Sequence, residues 1–124
     1  MNYLGLDYGL VHIGVSLATG PLAEPLATIN TPNLREHLLR LIDTYHIDEI
    51  IIGIPDNISP TALKKFQSYL IDLPCNLRYA DETLSTHDAL QSLNHTKNRR
   101  RKKLEHSVAA TIILQNWLDS NSLA

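Results

Sequence analysis

Apolar residues recur along this chain with two different periods, and the changes of period mark out its elements. Tyr3 to Asp7 and Val11 to Leu17 are short apolar, partly β-branched runs, and Tyr8, Gly9 and Leu10 between them suit a tight hairpin. A third strand is expected within Pro25 to Asn30. From Thr31 the period lengthens. Thr31 and Pro32 form an N-cap and first-turn pair, and Leu34, Leu38, Leu41, Ile42 and Tyr45 then share one face of an amphipathic helix. Glu49 to Ile54 is the most apolar strand, and Ile50, Ile51 and Ile52 predict a central position covered on both faces. Ser59 and Pro60 open a second helix with Leu63, Phe66, Leu70 and Ile71 inward; Pro74 stops it, and Cys75 to Ala80 forms another strand. A short helix is expected from near Ser85, where Asp88 completes a capping-box-like spacing ahead of Ala89, Leu90 and Leu93. The last helix is expected from Leu104 to Leu118, with Val108, Ala109, Ile112, Ile113 and Trp117 on a broad buried side.

This order is a three-stranded antiparallel meander, then strands alternating with helices, then a terminal helix. A strand, helix, strand succession implies a parallel crossover, so the fold class is α/β with a five-stranded mixed sheet. The 124 residues, 44% of them apolar, suit a single domain spanning 1–124 with a filled core. No stretch approaches the ~20 apolar residues of a membrane span, and the start of the chain lacks a signal-peptide layout, which points to the cytoplasm. The single cysteine, Cys75, has no partner for an internal disulfide, and its apolar neighbours suit a structural thiol better than a nucleophile.

Charge changes the picture. The formal net charge is -2, from 11 Lys and Arg against 13 Asp and Glu, yet Lys97, Arg99, Arg100, Arg101, Lys102 and Lys103 fall within seven consecutive residues. Without those six, five cations face thirteen carboxylates. One basic loop on an acidic body attracts a polyanion at that patch alone, and nucleic-acid phosphates are the leading partner; a solvated loop with no ligand is the competing reading.

Candidate chemistry lies where strands end. Asp7 closes the first strand beside Gly9, with Gly14 in the second strand, and a carboxylate there can hold a divalent cation. Without further carboxylates it reads first as an ordinary turn aspartate. Asp81 and Glu82 follow the fifth strand directly, as metal ligands or as residues favoured ahead of a helix. At the start of the last helix stand Glu105 and His106. Helical spacing puts His106 on one face with Ala109, Ala110, Ile113 and Trp117, pointing it to the sheet as a proton shuttle, a ligand or a core histidine.

Four segments together resemble a known family. LGLDYGLVHIGVS at the start, IIIGIP at Ile50 to Pro55, ADETLST at Ala80 to Thr86 and HSVAATIILQNWL at His106 to Leu118 are similar to the YqgF family, also called RuvX. These are pre-16S ribosomal RNA nucleases with a ribonuclease H-like fold related to Holliday junction resolvases. The resemblance covers nearly the whole chain and implies a ribonuclease H-like sheet with helices on both faces. It also implies a metal-dependent phosphodiesterase site of three acidic residues. Asp7 matches the first aspartate, and Glu82 the glutamate of an Asp-Glu-Arg motif. Thr83 stands where that motif has arginine, Val11 and His12 replace a Lys-Arg pair, and His106 occupies the place of the third aspartate.

Exchanging aspartate for a neutral imidazole removes a charge and a hard oxygen ligand, which weakens Mg²⁺ more than Mn²⁺. The expected activity is therefore a nuclease acting on structured nucleic acid, chiefly precursor 16S rRNA, with Mg²⁺ or Mn²⁺ as cofactor. Asp7, Glu82 and His106 are the catalytic candidates. Asp7 and Glu82, with Glu105 or His106, are the metal ligands, and the run from Lys97 to Lys103 is the nucleic-acid contact. A junction-resolving DNA nuclease and a non-catalytic ribosome-assembly protein are the alternatives. A monomer or weak homodimer is expected; a stable dimer would favour junction resolution, which needs two active sites on a two-fold substrate, and a monomer would favour RNA processing. Asp7, Gly9 and Gly14 also echo the phosphate loop of actin-like ATPases, but those clamp nucleotide between two copies of such a fold and this chain has one.

Overall fold

Alternation along the first strand sets the layers. The computed structural model describes residues 1–80 and 99–121, with side chains described for 1–80 and 106–121. Within it, β1 (Tyr3–Asp7) sends Leu4 and Leu6 to one side of the sheet and Gly5 and Asp7 to the other. It pairs antiparallel with β2 (His12–Ala18), which pairs antiparallel with β3 (Glu24–Asn30). A 3₁₀ turn at Thr31–Asn33 leads into α1 (Leu34–Tyr45), and β4 (Glu49–Gly53) then pairs parallel with β1. After α2 (Pro60–Ser68), β5 (Asn76–Ala80) adds parallel to β4, giving the order β3-β2-β1-β4-β5. The last described element is α3 (Arg99–Asn121).

Two apolar layers cover the sheet. On one side Leu4, Leu6, Ile13, Val15, Ile50 and Ile52 pack with Leu34, Leu38 and Ile42 of α1 and with Phe66 and Leu70 on and after α2. On the other, Ile51 and Ala18 meet Ile113 and Leu114 of α3. This second layer is thin because its sheet residues are small. A Cβ on Gly5 would fall 2.8 Å from the Ala110 carbonyl oxygen, and one on Gly14 would fall 1.9 Å from that of His106, so α3 rests almost on the strand backbone. Ser16 fixes the contact by donating its hydroxyl to the Ala110 carbonyl at 2.7 Å. Gln115 ties the same helix to the β2–β3 connection, accepting from the Ala23 amide at 2.8 Å and donating to the Pro21 carbonyl at 3.0 Å.

Several expectations shift for identifiable reasons. The second strand begins at His12, and Val11 is exposed at the turn. β4 is interior and buried throughout, but β1 is the middle strand, because the meander adds two strands on one side of it. Thr31 does not cap α1; its hydroxyl donates to the Gly9 carbonyl at 3.0 Å, joining the 3₁₀ turn to the hairpin. Leu63 is half-buried, and Ile71 faces solvent. Ser59 accepts from the Ala62 amide at 3.1 Å to start α2 as expected, but the helix ends at Ser68, and Asp72 turns left-handed (φ 58°), so helical spacing no longer governs Ile71. The basic run is not wholly a loop. Arg99 to Lys103 form the first turns of α3, as the good helix propensity of Arg and Lys allows, although the apolar pattern that announces the helix starts only at Leu104. The helix expected near Ser85 lies outside the described residues. Among the described residues, no helix is long and apolar enough to cross a membrane.

Candidate functional site

The carboxyl ends of β1, β4 and β5 finish level with one another. Asp7 pairs with Gly53, and Gly53 with Ala80, so the three stand in a row across the sheet. Two strand spacings put Ala80 about 9.5 Å from Asp7. Gly53 between them has no side chain, and the Ile113 side chain of α3 takes the space a Cβ would need, its Cδ1 lying 2.4 Å from that position. Strand ends of open α/β sheets are where such folds place ligands.

α3 closes the row from above. Its approach over Gly5, Gly14 and Ser16 sets the His106 imidazole against Asp7, with Nδ1 3.4 Å from Oδ2. Both groups remain reachable, their side chains being 32% and 18% exposed. The His12 ring lies 6.2 Å from that of His106 and tilted to it by 39°. Gly9 completes the pocket wall: a Cβ there would sit 3.1 Å from His106 Cε1 and 2.2 Å from the His12 carbonyl oxygen. Close approach, not a left-handed backbone, accounts for this glycine, since none of the described glycines has a positive φ.

Burial pushes the Asp7 carboxyl above its ordinary range, and the hydrogen bond and charge of His106 only partly oppose that shift. A largely buried carboxylate with a single imidazole beside it is incompletely solvated and suits a cation. The spacing agrees, because adjacent ligands at about 2.1 Å from an octahedral ion stand about 3.0 Å apart. Among the described residues there is no cluster of three or more His, Cys, Asp or Glu able to hold a metal. Asp7 and His106 therefore fit as part of a divalent-ion site whose remaining ligand comes from elsewhere. Asp81, Glu82 and Lys97 lie outside the described residues, and the side chains of Glu105 and of Arg99 to Lys103 are likewise not described.

Other reactive groups are kept apart from this row. Glu49 is buried at the opposite end of β4, where it accepts from Arg78 of β5. Cys75 is half-buried, and its thiol is pushed up first by burial and then by the Glu49 charge, which disfavours the reactive thiolate. In the sequence Gly14 stands out beside Asp7 and Gly9, and His12 only as a departure from the Lys-Arg pair that the family resemblance implies, whereas Gly5 and Ser16 are not singled out by residue type. Alternation does contain the signal: the side of β1 and β2 carrying Asp7 is built from small residues, which announces a closely seated helix.

A mixed five-stranded sheet in this order, with helices on both faces and an acidic group at the end of its middle strand, is a ribonuclease H-like domain. The T. thermophilus RuvC structure in complex with a Holliday junction substrate has the same fold, with a TM-score of 0.64 at 11% identity, over 98% of this chain and 96% of that one. Residues 1–120 match the family described as "RuvX: Holliday junction resolvase", and the chain belongs to that family. A protein of Heliobacterium modesticaldum named "Putative pre-16S rRNA nuclease" is 34% identical over 98% of this chain and 91% of its own length. One of the same name from Gloeobacter violaceus is 38% identical over 96% of this chain and 84% of its own.

Proposed function

We propose that the chain is a divalent-metal-dependent nuclease acting on structured nucleic acid, with precursor 16S rRNA as its substrate. The Asp7–His106 pair, set by the close seating of α3 at the carboxyl edge of the sheet, is the observation that carries this reading. Asp7 and Glu82 would hold Mg²⁺ or Mn²⁺, with His106 supplying a nitrogen ligand. A bound ion of this kind lowers the pKa of its water and stabilises charge on the phosphoryl oxygens. Asp7 provides the negative charge and, at the end of a strand buried on both sides, fixes its position. His106, on a helix held by Ser16 and Gln115, is fixed beside Asp7 so that the two groups can face the same ion. The cations Lys97, Arg99, Arg100, Arg101, Lys102 and Lys103 would neutralise substrate phosphates near the start of α3.

Cleavage assays on precursor 16S rRNA and on four-way DNA junctions, each with Mg²⁺ and with Mn²⁺, test this. Product from the rRNA that disappears in Asp7→Asn supports the reading. Cutting of the junction alone moves the substrate to DNA, and equal activity in wild type and Asp7→Asn refutes the metal site.

A further inference from the structure

One residue away from the Asp7–His106 pair begins a groove that neither side chain uses. Between the β1–β2 turn and the start of α2 it encloses about 280 Å³, with Tyr8, Leu10, Ala62, Lys65 and Tyr69 on its walls. It continues into a second compartment of about 330 Å³ reaching Gly9, Pro55 and Asn57. The two share Tyr8, Leu10, Ser59 and Ala62, so they form one passage. The Tyr8 ring is braced on Phe66, centroids 4.9 Å apart and planes at 60°, which makes it a fixed wall. At the tip of the turn Leu10, on the groove wall, is 76% exposed, and Val11, next to it in sequence, is 65% exposed.

We infer that this groove takes one unpaired nucleobase of the strand whose adjacent phosphate lies at Asp7 and His106. The inference rests on the nuclease reading above and adds what it recognises. Each compartment stands near the low end of small-ligand pockets and suits a single base. A rigid tyrosine with aliphatic neighbours offers a stacking surface to any base, whereas Asn57 and Ser59 can meet its polar edge. Lys65 complements a flanking phosphate. Gly9 is the link, since it lines the groove on one side and faces His106 on the other, so phosphate and base sites are divided by one residue without a side chain. An apolar peptide in the same place would leave Lys65 and this continuity unused. Leu10 and Val11 are placed to replace the stacking that the extracted base gives up, as apolar side chains do when they separate bases. The enzyme would therefore cut beside unpaired nucleotides and spare continuous duplex.

The test is an abasic scan of a short single-stranded RNA, using Asp7→Asn protein so that the strand stays intact. Removing the base at one position should weaken binding about 5- to 150-fold, the range expected for loss of one stacked base. In Asp7→Asn combined with Ala62→Phe, which fills the groove, the same removal should change affinity less than about twofold. Amide resonances of Leu10, Ala62 and Lys65 should shift when the intact RNA is added. Lys65→Ala, at an exposed position, serves as a second variant and should weaken binding of the intact and abasic strands by the same factor. An abasic penalty equal in open and filled proteins, or amide shifts confined to other residues, overturns the inference. Cleavage independent of Asp7 would sink the nuclease reading instead, and the binding scan would still report on the groove.

Discussion

Gly14→Ala puts the construction of the site to a direct test. The new Cβ would lie 1.9 Å from the carbonyl oxygen of His106, 2.2 Å from its carbonyl carbon and 2.8 Å from the Ser107 nitrogen. These are helix backbone atoms, so no rotamer change relieves the clash. Ordinary contact begins near 3.4 Å, so the carbonyl has to retreat by about 1.5 Å and carry the start of α3 with it. His106 would then stand about 5 Å from Asp7 in place of 3.4 Å, beyond any hydrogen bond. Overpacking against backbone costs about 3 kcal/mol, and loss of the Ser16 bond to Ala110 adds about 1. For a domain of this size that lowers Tm by roughly 10–15 °C. Gly53→Ala is the control: its Cβ meets the Ile113 Cδ1 at 2.4 Å, a side-chain end that can turn away, so the cost should stay near 1–2 kcal/mol. Thermal melts of the three proteins, with cleavage measured well below each midpoint, decide the matter. Should Gly14→Ala melt within about 2 °C of wild type and cut normally, the close seating of α3 would not be what positions His106.

The other predictions concern charge and ligands. Asp7→Asn should abolish cleavage yet melt no lower than wild type in EDTA at neutral pH, because it removes a desolvated carboxylate. The sign follows from linkage: with the folded pKa raised, the wild-type contribution is fully present below the ordinary value of 3.8 and lost as pH rises through the folded value. The Tm gain of the variant should thus grow over that window and then level off; a gain that shrinks with rising pH contradicts it. His106→Asp should raise activity with Mg²⁺ relative to Mn²⁺, since it supplies a hard oxygen, and an unchanged ratio of rates would place His106 outside the metal's ligands. Replacing Arg99, Arg100 and Arg101 with Ala should reduce the slope of log affinity against log salt by about 2 to 3, equally for different sequences, as anisotropy titrations would show. Three cations fewer in the first turn of α3 should leave stability level or raise it by up to about 1 kcal/mol, because positive charge is unfavourable at a helix start.

Local patterning alone was enough to announce most elements here. The alternation at Leu4 and Leu6, the unbroken Ile50 to Ile52 and the Ser59–Pro60 start each bind a residue type to one backbone geometry, so strands, α2 and the two-sided burial of β4 were legible. Asp7 at a strand end and His106 on the inward face of the last helix were legible for the same reason, because period and face are local properties. Which strand stands in the middle was not, since pairing partners are chosen by the whole sheet. Nor was the fate of Thr31, whose hydroxyl is taken by Gly9, 22 residues away, in preference to its own helix. The meeting of Asp7 with His106 joins positions 99 residues apart and depends on how near a helix can come to strands lined with Gly5, Gly14 and Ser16. Sequence supplied the small residues and the two reactive groups; the distance between those groups is a property of packed backbones, which only the tertiary structure decides.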